Sequence, residues 1–100
     1  MNEVKQYMVE FDILYPLEEE LVALIPDQRT AVNDLFTDGV LHSYTLNIDR
    51  TKLWAVFQLE NESNLIRIID SLPMTRYMDY TYHELTFHNS LNMIPAISLN

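Results

Sequence analysis

The stretch VLHSYTLNI (Val40–Ile48), then Asp49-Arg50-Thr51, then KLWAVFQLE (Lys52–Glu60) decides the fold. Both runs alternate and are rich in β-branched and aromatic residues, which suit a pleated surface. They read as two strands of a hairpin. A two-residue turn at Arg50-Thr51 sets Asp49 opposite Lys52 and pairs Ile48 with Leu53, Leu46 with Ala55 and Tyr44 with Phe57 on one face. The other face pairs Asn47 with Trp54, Thr45 with Val56 and Ser43 with Gln58. A one-residue slip would mix the two sets. One face is therefore an ordinary core. The other is semi-polar, contains a Trp, and is where a function is to be sought.

Upstream, Val4 to Leu14 reads as a strand. Tyr7, Val9, Phe11 and Ile13 alternate with Met8, Glu10 and Asp12. The odd set is expected to face helices and the even set to share the side of Trp54. Leu17 to Asp38 has helical periodicity, with Leu21, Leu24, Ile25, Gln28, Val32, Leu35 and Phe36 in one stripe. Pro16 suits its first position, Glu18, Glu19 and Glu20 suit the positive end of the macrodipole, and Gly39 is its stop. Pro26 lacks an N–H and clashes with the preceding turn, so either a kink or a junction of two helices is expected there. Arg29, three residues on, reads as a surface ion-pair partner or, less simply, a pocket residue.

Downstream, Glu62 to Leu72 reads as a helix capped by Asn61 or Ser63 and ended by Pro73. Its buried side is Leu65, Ile66, Ile68, Ile69 and Leu72. Met74 to Met78 is a connector. Asp79 to His88 alternates as a strand with apolar bulk on both sides, and His83 and Phe87 are assigned to the Trp54 face. The last stretch, NSLNMIPAISLN, is apolar but broken by Pro95. Residues 91–100 are read either as a disordered terminus or as an arm on a partner subunit.

The order is β-α-β-β-α-β, a ferredoxin-like α+β fold. Residues 1–90 form a single domain in this reading, with two helices on one face of a four-stranded antiparallel sheet. The other face carries Met8, Trp54, Val56 and either Leu85 or Phe87, too much apolar surface to leave in water. A second copy packed sheet against sheet would cover it and close a barrel. Glu10, Ser43, Thr45, Asn47 and Gln58 would then line an interior chamber.

Composition narrows the function. A chain of 100 residues supports one core, and 48% hydrophobic residues exclude a disordered chain. The net charge is −9, and six scattered basic residues supply no footprint for phosphate backbones, so no nucleic-acid partner is expected. One Gly leaves no phosphate-cradling loop. No Cys means no disulfide or thiolate metal site, which is compatible with a cytoplasmic location. No signal peptide and no membrane span are read. His42, His83 and His88 lack metal-ligand spacing, so no metal is expected.

At Leu72-Pro73, Tyr77-Met78-Asp79, and then Leu85, His88 and Ser90, the chain resembles muconolactone δ-isomerase and the small proteins grouped with it. The resemblance takes in the Tyr7–Ile13 strand, the Leu35…Gly39 helix end and Val56-Phe57, and covers about residues 5 to 90. It implies a ferredoxin-like subunit that dimerises sheet to sheet, as a homodimer or in larger rings. It also implies a small-lactone isomerase that shifts a proton next to a carbonyl without a cofactor. The chain departs from that enzyme at Met8 and Glu10, where the enzyme has basic groups, and at Ser43 and Thr45, where it has basic and aromatic ones. Glu10 without a matching cation does not suit an anionic lactone.

Proton abstraction next to a carbonyl needs a base and an electrophilic partner within reach of one substrate. Glu10 and His83 are the catalytic candidates, with Tyr44 or Tyr82 as donors. A carboxylate desolvated beside Trp54 would have a raised pKa. The plainer reading is that Glu10 pairs with a neighbouring strand and His83 is a satisfied core histidine. As an alternative, a non-catalytic barrel would bind a small apolar or aromatic ligand, with Met8, Trp54, Val56 and Phe87 as walls, Thr45, Asn47 and Gln58 orienting it, and Ser43 among the ligand-binding residues. A purely structural assembly subunit and a heme- and flavin-free monooxygenase are the other readings of the same barrel.

Overall fold

The structure, a computed structural model, describes residues 3–16 and 18–90. The expectations for 91–100, and for Leu17 as the helix start, lie outside the described residues. Strand β1 (Lys5–Ile13) is followed by α1 (Glu19–Ala23) and α2 (Ile25–Thr37), then β2 (Leu41–Leu46), β3 (Lys52–Leu59), α3 (Glu62–Ser71) and β4 (Met78–Leu85). The sheet order is β2-β3-β1-β4, with every neighbouring pair antiparallel. This is the ferredoxin-like arrangement. β1 and β3 take the centre because their inward residues are the most apolar of the sheet.

Those inward residues build the core. Val9, Ala55 and Phe57 are fully buried, and Tyr7, Phe11 and Leu53 nearly so. Leu65 and Ile69 of α3 and Val32 of α2 join them in one core, and Leu21 of α1 is buried as well. Each large side chain removed from water in this way contributes about 1.5–3 kcal/mol. Ile66 and Phe36, expected inside, stand on the flanks of their stripes and are partly exposed. On the β4 side, the Tyr82 hydroxyl donates to Glu62 at 2.8 Å, and Tyr80 reaches Asp70 at 3.4 Å. These bonds tie α3 to the sheet edge.

Pro26 separates two helices, as one of the two expected forms. Pro26 occupies the first turn of α2, where no intrahelical N–H is needed, and Leu24 joins the segments. α2 ends in a Schellman motif: Gly39 N–H donates to Phe36 and Val40 N–H to Leu35, with Gly39 at φ 77°. Asn61 is the cap of α3, accepting from the Asn64 N–H at 2.9 Å.

The hairpin register differs from expectation by two residues. Leu46 pairs with Leu53, Thr45 with Trp54 and Tyr44 with Ala55. The loop has four residues, Ile48 to Thr51, between Asn47 and Lys52. A two-residue turn demands positive φ at its first central position or at both, which β-branched Thr51 resists. Here only Arg50 takes positive φ, at 63°. The Asn47 Oδ1 accepts from the N–H groups of both Thr51 and Lys52, at 2.9 Å each. Ile48, expected in the core, is fully exposed at the tip. Because the slip is even, Tyr44, Thr45 and Leu46 keep the faces expected of them, while Ile48 leaves its face for the loop. A bulge at His42 adds a second adjustment, so that Leu41 pairs with Phe57 while Ser43 pairs with Val56. The extra residue lets Leu41 and Tyr44 both face the helices. β4 stops at Leu85, short of the expected His88, and leaves Phe87 exposed beyond it.

Candidate functional site

The face turned away from the helices is a grid of rows running across the strands. Thr45, Trp54, Glu10 and Thr81 form one row; Ser43, Val56, Met8 and His83 form the next. Gln58, Gln6 and Leu85 follow, and Lys52, Asp12 and Asp79 lie on the other side of the Glu10 row. Period-two alternation alone brings these side chains to one surface. Seven of the eight candidate site residues, namely Met8, Glu10, Ser43, Thr45, Trp54, Gln58 and His83, share it. Asn47 stands apart, with its amide committed to the hairpin loop.

Glu10 is the centre of this surface. The Trp54 indole N–H, directly opposite, donates to its Oε1 at 3.2 Å. The Lys52 ammonium donates to its Oε2 at 3.0 Å and also to the Asp12 carboxylate. One cation is thus shared by two carboxylates while the indole engages the first. Lys52 and then Trp54 hold the Glu10 carboxyl below its ordinary value, and its neighbours Asp12 and Glu10 raise that of Lys52. The expected rise from desolvation is reversed because the Glu10 side chain is 44% exposed and two donors favour its charge. The missing cation is Lys52. A two-residue hairpin turn would set Lys52 opposite Asp49; its place opposite Asp12, and its diagonal reach to Glu10, come from the β1–β3 register.

His83 lies on the same face, opposite Met8 and two positions along β4 from Thr81, and is exposed. Gln58 accepts a bond from Gln6 at 3.3 Å. Tyr44 and Tyr82, considered as proton donors, face the helices instead. Tyr44 is opposite Ala55 and Tyr82 opposite Val9. Neither shares a surface with Glu10. Phe87, outside the strand, is not part of the grid.

The arrangement presents the Glu10 carboxylate, a neutral indole donor, an ammonium shared with Asp12 and an imidazole around Met8, while Val56, in the same row as Met8, is itself buried. It can accept a proton, orient a polar oxygen and cover an apolar ring. Among the described residues no cluster of three or more His, Cys, Asp or Glu forms a metal-binding set, and no helix is long and apolar enough to cross a membrane. A family model described as muconolactone delta-isomerase matches residues 6–91. No curated protein matches the chain.

Proposed function

The chain belongs to the muconolactone delta-isomerase family, and from that membership we propose a cofactor-independent isomerase that moves a proton on a small lactone or enol. Two copies meet through the faces that carry Trp54 and enclose a chamber between their sheets. The homodimer operates in the cytoplasm, which the absence of Cys permits.

The observation that carries this reading is the Glu10 carboxylate, kept ionised by Trp54 and Lys52 on a face shared with His83. In the proposed step Glu10 takes a proton from a carbon conjugated with the lactone carbonyl. The electron pair moves into the carbonyl as a dienolate, with His83 or Lys52 offering a donor to the oxygen. The proton returns at the other end of the conjugated unit, shifting the double bond. No electron leaves the substrate, so no redox partner is required. Closure of the dimer would remove water from Glu10 and raise its basicity.

A second reading is favoured by the low proton affinity of the same carboxylate. Glu10 with both oxygens engaged is a weak base, and the chamber then binds a small apolar or aromatic molecule without reaction. Proton NMR of muconolactone in deuterated water separates the two. The isomerase predicts deuterium incorporation and double-bond migration, falling by about a hundredfold or more in Glu10→Gln. Binding seen at the Trp54 indole without exchange supports the second reading. No exchange and no binding overturns both.

A further inference from the structure

On the opposite side of the sheet a cleft of about 550 Å³ lies between α1, α2 and the inward face of β2 and β3. Leu21, Ile25, Val32, Leu53, Met74 and Met78 supply its apolar walls. Two of the six basic residues of this acidic chain, Arg29 of α2 and Arg50 of the hairpin loop, also line it. Neither forms an ion pair with a described residue. The polar floor is built rather than incidental. Gln28, 6% exposed, accepts the Met74 N–H at 3.0 Å and donates to the Tyr44 hydroxyl at 3.0 Å. Among the described residues the Tyr44 O–H has no acceptor for its own proton. Val22, Phe36 and Leu46, which also line the cleft, are each 40–47% exposed.

We propose that this cleft binds a small amphipathic carboxylate, with its hydrocarbon or aromatic body among Leu21, Val32 and Leu53 and its anionic end against Arg29 and Arg50. Charge complementarity selects the occupant. A chain of net charge −9 repels anions in general, so two guanidinium groups beside an apolar hollow, with no ion pair among the described residues, mark a local exception. The fork of a guanidinium matches a carboxylate, and the volume lies in the range of small-molecule sites. The Tyr44 hydroxyl, kept protonated by burial, offers an inner donor to a polar group on the ligand. The Arg50 backbone at φ 63° holds its residue in the loop that overhangs the cleft. This site is separate from the Glu10 face and does not rest on the isomerase reading.

The test titrates the full chain with octanoate and with octanamide, following backbone and side-chain amides by NMR. Octanoate is expected to shift the Gln28 side-chain amide and the Met74 N–H while leaving the Trp54 indole unmoved. The double variant Arg29→Gln, Arg50→Asn keeps the fold, since Asn tolerates positive φ. It is expected to weaken octanoate about tenfold and octanamide less than about twofold. Shifts confined to Trp54 and the Glu10 face would overturn the proposal and leave the isomerase reading standing. Equal affinity for the acid and the amide, or no shift of Gln28 up to about 10 mM octanoate, would overturn it too.

Discussion

The Trp54 indole N–H donates to Glu10 Oε1 across the β1–β3 ladder, and the two residues are register partners. The bond couples an optical reporter to the one carboxylate on which the proposed chemistry depends. Lys52 and Trp54 both favour the charged form of Glu10, so its folded pKa lies below the ordinary 4.5. The sign follows: the stabilisation is present above the unfolded value and is lost as pH falls through the depressed folded value. Trp54 fluorescence should therefore titrate with a midpoint below 4.5. Glu10→Gln should abolish that transition and flatten the acid limb of the stability profile. A midpoint above 4.5 would mean that desolvation dominates.

Gln28 joins α2, β2 and the α3–β4 connector through Tyr44 and the Met74 N–H. Gln28→Leu strands both partners in a nearly dry site and should cost about 1–3 kcal/mol in urea unfolding. Adding Tyr44→Phe should recover part of that loss, because it removes one of the stranded groups. Strict additivity would show that the two are not coupled.

Asn47 is the hinge of the hairpin rather than a member of the Glu10 grid. Asn47→Ala removes the acceptor for two backbone N–H groups and should lower stability by about 1 kcal/mol. Its ligand affinity at the Glu10 face should stay unchanged in calorimetry. A loss of affinity without loss of stability would return Asn47 to the chamber.

Much of this molecule could be read from alternation and punctuation. The face assignments of β1 and β3 followed from Tyr7–Ile13 and Leu53–Phe57, because period two leaves no choice once one face is apolar. Gly39 and Asn61 marked helix ends by chemistry that few other residues supply. The hairpin loop was harder, since an even slip preserves both faces and only the side chain of Asn47 settles the length. The Lys52–Glu10 contact was hidden for a different reason: it is a diagonal pair across β1 and β3, strands far apart in sequence whose register no turn fixes. The cleft at Gln28 was not legible either: its walls are core residues, and a hollow among them depends on how far α1 and α2 stand from the sheet.

Gly39 tests a backbone requirement alone. At φ 77° an added Cβ would meet nothing within 4 Å, so Gly39→Ala is strained only by its conformation. It should cost about 1 kcal/mol in thermal or urea unfolding, and Gly39→Asn less. Equal stability of all three would show that the α2 terminus does not hold this geometry in solution.

The chamber exists only if a second copy covers the Trp54 face. Sedimentation equilibrium at micromolar concentration, with Trp54 emission recorded on the same sample, reads this directly. Two chains per particle, a blue-shifted indole, and dissociation to one chain with a red shift in Met8→Arg are the predicted results. A particle of single-chain mass with a water-exposed indole would contradict the enclosed chamber, and with it the isomerase built around Glu10.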